Sequence, residues 1–175
     1  MSSFLKAEYQ SDNIESSNLF LTSGATHGLH LLSTTLIDLK NAVAFVENPT
    51  YFLALDVLSD DLGMKIVPFE DDILKLEKSI IDNQPNELVS EKYWGIFYLI
   101  PTFHNPTGMV LSESKMSKIV ELATKYKMLI ICDDVYNLLY YDNQGIPIRM
   151  VELYRSSGNV ISNCTFSKIY CPGQC

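Results

Sequence analysis

Residues 93–100 read YWGIFYLI, eight positions without a single charged side chain. A run so short and so apolar reads as a strand buried on both faces, because a half-buried strand alternates polar with apolar residues. Sheets covered on both faces are mainly parallel ones, whose strands are joined by helical crossovers. The rest of the chain supplies that pattern. Residues 42–46 (AVAFV), 65–69 (KIVPF), 128–132 (MLIIC) and 159–164 (NVISNC) are further strand-like runs, and residues 18–22 (NLFLT) form a short one ahead of them. Between them the apolar spacing turns helical. Leu29, Leu32, Leu36 and Leu39 mark a helix over 26–39, with others expected over about 52–59, 71–81 and 112–126. The last has Ser112 as its N-cap, Lys115 at N3 and Ile119, Leu122 and Ala123 on its inner face. Residues 82–92 read as a polar loop, and 137–157 as an aromatic, irregular connection. The fold class is α/β: a mainly parallel sheet with helices on both faces.

Composition narrows the function. Over 175 residues the net charge is −8, which gives no footprint for nucleic acid or for an anionic membrane. No apolar run reaches the length of a membrane span, and the first ten residues lack the basic and apolar regions of a signal peptide. Cysteines stand at 132, 164, 171 and 175 without a CxxC, and His27, His30 and His104 do not join them at zinc spacing, so no metal site is expected. Cys132 and Cys164 fall in apolar runs and read as small core residues. Free thiols without a secretory signal fit a reducing, cytoplasmic compartment. Neither GxGxxG nor GxxxxGK[ST] occurs, so dinucleotide and P-loop readings lack their phosphate loops.

In open α/β sheets ligands bind beyond the carboxyl ends of the strands. What this chain places there is unusual. Gly24, Ala25 and Thr26 follow the first strand and open a helix. That is either a plain N-cap with a turn glycine or an anion site built from helix N–H groups. Asn48-Pro49-Thr50-Tyr51 follows the second strand, and Pro101-Thr102-Phe103-His104-Asn105-Pro106-Thr107-Gly108 follows the central one. X–Pro bonds cost only about 0.5–1 kcal/mol to hold cis, so a tight functional turn can use them. Asp133-Asp134-Val135-Tyr136 ends another strand. Thr165-Phe166-Ser167-Lys168 ends the last. A lone lysine is usually a solvated surface residue; here its company reverses that reading. A phosphate site, a ring platform, a carboxylate and an amine on one edge match the features of pyridoxal 5′-phosphate.

The segments SGAT (23–26), NPTY (48–51), NPTG (105–108), DDVY (133–136) and TFSK (165–168) resemble, in order and spacing, the class I/II pyridoxal-phosphate aminotransferases of fold type I. The nearer likeness is to their aminoadipate/aromatic branch, and it covers about residues 18–173. The resemblance implies roles. Lys168 would be the attachment point for the cofactor aldehyde and would then carry the proton between the substrate α-carbon and the cofactor. Asp133 would keep the pyridine nitrogen protonated. Asn105 and Tyr136 would hydrogen-bond the phenolic oxygen, and Tyr51 would stack on the ring. The amides of Gly24, Ala25 and Thr26 and the hydroxyl of Thr165 would hold the phosphate, with Ser167 the weaker candidate. Substrates would be an amino acid and a 2-oxo acid, and the full-length family works as homodimers.

The chain also departs from that pattern. An arginine is expected seven positions after the lysine, in PG-x-R, but Pro172-Gly173-Gln174-Cys175 stands there. The resemblance therefore implies an incomplete large domain: residues 18–175 a partial cofactor-binding domain, 1–17 the remnant of a preceding helix or loop, and the C-terminal small domain absent. About a hundred residues typical of the family would precede Asn18. A chain so cut is expected not to be a competent transaminase by itself. Two other readings stand beside the first. One is a non-catalytic remnant that at most binds the cofactor or a full-length relative. The other is a related lyase or decarboxylase, since fold does not fix reaction.

Overall fold

The computed structural model describes residues 1–70, 72–87, 91–141 and 145–170. Strands β1 (Val43–Glu47), β2 (Lys65–Phe69), β3 (Gly95–Leu99), β4 (Leu129–Asp133) and β5 (Val160–Asn163) form one sheet in the order β2-β1-β3-β4-β5. Every ladder is parallel. The helices are α1 (Ser2–Glu8), α2 (Ala25–Leu36), α3 (Phe52–Leu55), α4 (Ile73–Asn83), α5 (Glu113–Lys125) and α6 (Met150–Leu153). The run that reads YWGIFYLI is the central strand, and all five residues of β3 are buried.

Strand alternation divides the core into two layers. Val43, Phe45, Phe97, Leu99, Ile130 and Cys132 face α4, α5 and α6 through Leu76, Ile80, Met116, Ile119 and Met150. Ala44, Val46, Ile96, Tyr98, Ile100, Leu129 and Ile131 face α2 and α3 through Leu29, Ala54, Val57 and Leu58. Burial on both faces is what left the strands without polar alternation. The chain starts at β1, steps outward to β2, and then crosses back past β1 to β3. The strand order thus reverses between β1 and β3, the place where an open parallel sheet leaves a crevice at its carboxyl edge.

Residues 18–22 do not form the expected strand. A single 3-10 turn covers Ser16–Asn18, and no ladder includes the residues after it. Phe20 and Leu21 are 81% and 69% exposed. A β pattern becomes a strand only where a neighbouring strand accepts its N–H and C=O groups, and among the described residues β5, the terminal strand on that side, pairs only with β4. Leu19, Phe20 and Leu21 instead line an apolar groove with Ile161, Cys164 and Phe166. Cys164 is accordingly exposed, not a core residue, while Cys132 is buried as expected.

Smaller differences have local causes. The helix expected to reach residue 39 ends at Leu36, because Ile37 turns extended (φ −102°, ψ 141°) and bridges to Tyr93. Helix α3 passes directly into a π-helical stretch, Asp56–Asp61. Ser112 does cap α5, its hydroxyl accepting from the Lys115 N–H. The Asn48–Pro49 and Asn105–Pro106 peptides are both cis. The sequence Pro172-Gly173-Gln174-Cys175, read above as a broken motif, lies outside the described residues, as does part of the 82–92 loop.

Residues 1–17 pack on the body of the fold. Leu5 and Ile14 are buried, and the Tyr9 hydroxyl donates to Asn137 Oδ1 at 2.6 Å. Among the described residues no helix is long and apolar enough to cross a membrane, and no cluster of His, Cys, Asp and Glu could hold a metal ion.

Candidate active site

A cleft of about 280 Å³ opens at the carboxyl ends of β1, β3, β4 and β5. Gly24, Ala25, Thr26, Tyr51, Asn105, Asp133, Tyr136, Thr165, Ser167 and Lys168 all line it. The structure therefore gathers every residue that the sequence singled out. They arrive on five segments of the chain, and each segment has its own reason to be there.

The α2 corner is set by close packing. Gly24 is the N-cap, with φ 92° and ψ 171°, a backbone state that disfavours a side chain. No side chain caps α2, so by helix geometry its leading amides have no partner within the helix. Asn163, at the end of β5, donates from Nδ2 to Ala25 O at 2.9 Å. That bond requires α2 to approach β5 very closely. Gly28 permits it, since a Cβ there would collide with Asn163 Oδ1. Asn163 is also paired in register with Asp133, so one residue ties the helix N-terminus to the carboxylate-bearing strand end.

The turn after β3 is held just as firmly. Leu111 N donates to Pro101 O at 2.8 Å, and His104 N to Met109 O at 2.9 Å. His104 is buried, with Nε2 3.4 Å from Glu47 Oε2 at the end of β1. The same Glu47 oxygen accepts from Ile100 N at 2.8 Å. Asn105 is thus carried on a turn fastened to two strands. On the β5 side, Thr165 Oγ1 donates to Ser167 Oγ at 3.0 Å and accepts from Ser167 N at 3.2 Å. A helical turn then begins at Phe166, whose carbonyl accepts from Ile169 N and Tyr170 N, and it presents Lys168 on its first exposed positions.

The adjacent carboxylates Asp133 and Asp134 separate in role. Asp133 continues the face of Leu129 and Ile131 into the cleft. Its Oδ2 accepts from the Tyr98 hydroxyl, while Oδ1 is buried with no hydrogen-bond partner among the described residues. Burial pushes its carboxyl up to about 6, against the hydrogen bond from Tyr98 and the charge of Lys168, which both pull it down. Asp134 turns away: it accepts from the Ser162 hydroxyl and lines the apolar groove, not the cleft. Burial pushes it up to about 7. Tyr98 is fully buried, and burial followed by the Asp133 charge drives its phenol far above the ordinary range. The Tyr51 phenol is also raised, first by burial and then by Tyr136 and Asp133.

Tyr98, Asn163 and Gly28 escaped the sequence reading. For Tyr98 part of a signal existed, because period-two alternation places Ile96, Tyr98 and Ile100 on one face of their strand. A polar hydroxyl inside so apolar a run is the anomaly to follow. Gly28 and Asn163 gave no such signal, since their contact joins positions 135 residues apart by subtraction of their numbers.

Comparison with known proteins points the same way. Residues 1–171 match the family model described as aminotransferase class I and II. An uncharacterised protein of Saccharomyces cerevisiae is 35% identical, over 89% of this chain and 43% of its own length. An archaeal alanine:glyoxylate aminotransferase superposes with a TM-score of 0.76 at 33% identity, covering 96% of this chain and 40% of that one. The kynurenine aminotransferase of Pyrococcus horikoshii, crystallised with PMP, gives a TM-score of 0.76 at 27% identity, over 98% and 41%. The chain thus spans about two fifths of the length of the relatives it matches.

Proposed function

The chain belongs to the class I and II aminotransferases, and from that premise we propose that its cleft binds pyridoxal 5′-phosphate and serves transamination between an amino acid and a 2-oxo acid. The observation that carries the proposal is one cleft lined by Lys168, by Asp133 with an unpartnered buried oxygen, and by the uncapped N-terminus of α2. A buried carboxylate oxygen without a partner is costly, roughly 1–3 kcal/mol or more. A protonated ring nitrogen would satisfy it. Such a ring, once bound, supplies an electron sink for charge developing at the substrate α-carbon.

The chain's own groups then divide the work. Asp133, as a carboxylate, favours the protonated ring nitrogen by placing negative charge against it. The amides at Gly24, Ala25 and Thr26, at the positive end of a 12-residue helix, hold a phosphate dianion, with the Thr165 hydroxyl beside them and Ser167 behind it. Tyr51, half-buried at the start of α3, offers its ring face as a stacking surface. Asn105 and Tyr136 supply polar groups for the phenolic oxygen. Lys168, exposed on its turn, is the amine that would hold the cofactor aldehyde and would carry the substrate proton. The cleft walls of Leu29, Ala54, Val57, Ile100 and Val135 are apolar and exclude water from one side.

The test is chemical. The purified chain is mixed with pyridoxal phosphate, reduced with borohydride and mapped by peptide mass. We expect the label on Lys168 alone and visible absorption that Lys168→Ala abolishes. Label on Lys125 or Lys127, with none on Lys168, would overturn the assignment. Turnover of an amino acid with 2-oxoglutarate, measured alongside, reports whether this stretch suffices for the reaction.

A further inference from the structure

We propose that Tyr98 is a positioning residue for the site: its phenol holds Oδ2 of Asp133, which fixes the carboxylate so that Oδ1 is the oxygen offered to a cationic N–H in the cleft. This rests on the functional reading above and adds a residue to it.

The geometry is asymmetric in a telling way. Asp133 has two oxygens, both inside the protein. One is satisfied by Tyr98, and the other is satisfied by nothing. Tyr98 itself sits mid-wall on β3, its ring packed among Ile96, Ile100 and Ile131, with its hydroxyl committed to Asp133. A strand in the centre of a five-stranded sheet is the most rigid support this fold has. A carboxylate turning about its side-chain bonds would present either oxygen; a donor locked on one of them selects the other.

The hydroxyl also governs ionisation. A donor to the charged form favours that form. Around Asp133 the other ionisable groups are Tyr51 at the start of α3, Cys132 before it and Asp134 after it in sequence, Tyr136 after β4, and Cys164 and Lys168 beyond β5. Tyr98 in turn feels Glu47 at the end of β1. Among the described residues Tyr98 and Lys168 favour the carboxylate, and Tyr98 does so through a hydrogen bond. Without the hydroxyl, burial dominates and the carboxyl keeps its proton to higher pH. A neutral carboxyl cannot support a protonated ring nitrogen.

The experiment reads the pair directly, without cofactor. The chain is labelled with 13C at aspartate Cγ and tyrosine Cζ, and both are followed by NMR from pH 4 to 9. In the wild type, Tyr98 Cζ should shift in step with the Asp133 titration, near pH 6. In Tyr98→Phe, which keeps the ring and its packing, the Asp133 midpoint should rise by about 1–2 pH units. A Tyr98 resonance blind to the Asp133 step overturns the proposal even if the variant does not fold. An unchanged midpoint in a folded variant overturns it as well, because a tyrosine that merely packs would be replaced without effect. Pyridoxal phosphate is then titrated into both proteins. Roughly tenfold weaker binding in Tyr98→Phe supports the role toward the cofactor. Coupled titrations in a wild type that binds no pyridoxal phosphate would overturn the functional reading while supporting the link between Tyr98 and Asp133.

Discussion

At the scale of single residues, the site depends on small side chains as much as on reactive ones. Gly28 is the clearest case. Its value is not backbone freedom but the room it leaves for Asn163, whose amide reaches past it to Ala25 O. A methyl group there must push the Asn163 side chain aside, losing its hydrogen bond, or lift α2 off β5. Overpacking of this kind costs about 1–3 kcal/mol. Gly28→Ala should therefore lower the urea midpoint by an amount of that order. In an Asn163→Ala background the obstruction is gone, so the same substitution should cost little. Residues in contact couple in such cycles, and distant ones do not. Equal costs in the two backgrounds would show that Gly28 and Asn163 do not share the space as described.

At the scale of elements, helix ends, strand ends and cis turns do the positioning, and they differ in how readable they are. Helix α5 is an example of full legibility: Ser112, then an apolar stripe at Ile119, Leu122 and Ala123, then a stop at Tyr126. The cap bond is long, 3.4 Å from Lys115 N to Ser112 Oγ. Ser112→Ala should accordingly fall at the weak end of cap losses, about 0.5 kcal/mol, with Ser112→Gly costing still less. Thermal melts of both variants check this, and a loss above about 2 kcal/mol would exceed any cap. The buried strands were equally legible, because local apolar runs need no knowledge of partners. The stretch 18–22 was not. Its apolar residues are real, but whether they form a strand depends on a neighbour far away in sequence, and among the described residues β5 pairs only with β4. The lining of the cleft was legible wherever the signal was a residue type just beyond a strand. It was missed where the signal was mutual approach, as for Asn163 against α2, or a face shared across two strands, as for Tyr98 and Asp133.

At the scale of the whole molecule, the two adjacent buried acids give stability an unusual pH dependence. Asp133 and Asp134 hold their protons to about pH 6 and about pH 7 in the fold. Exposed in an unfolded chain they would release them near 3.9. Between those limits the native state binds more protons than the unfolded state, so stability falls as pH rises. The window follows: the loss begins near pH 4 and is complete once both have ionised, above about pH 7. Two opposing trends bound it. Glu152, whose carboxyl is held low chiefly by its hydrogen bond from Asn13, stabilises above its unfolded value and gives this up as pH falls. Burial lowers the His104 imidazole below its ordinary value of 6.5, so that group favours the fold as pH rises through that value. One histidine set against two acids does not reverse the trend. The unfolding midpoint in urea should thus be higher at pH 5 than at pH 8. Asp134→Asn isolates the cause, because an amide oxygen can still accept from Ser162 but no longer titrates. The variant should show a shallower slope between pH 5 and 8, and the change in slope is independent of its absolute stability. Asp134 is also the choice that spares the lining of the cleft, since it lines the adjoining groove instead. A wild type equally stable at both pH values, with Asp134→Asn parallel to it, would mean that these carboxyls ionise in the fold as freely as in water.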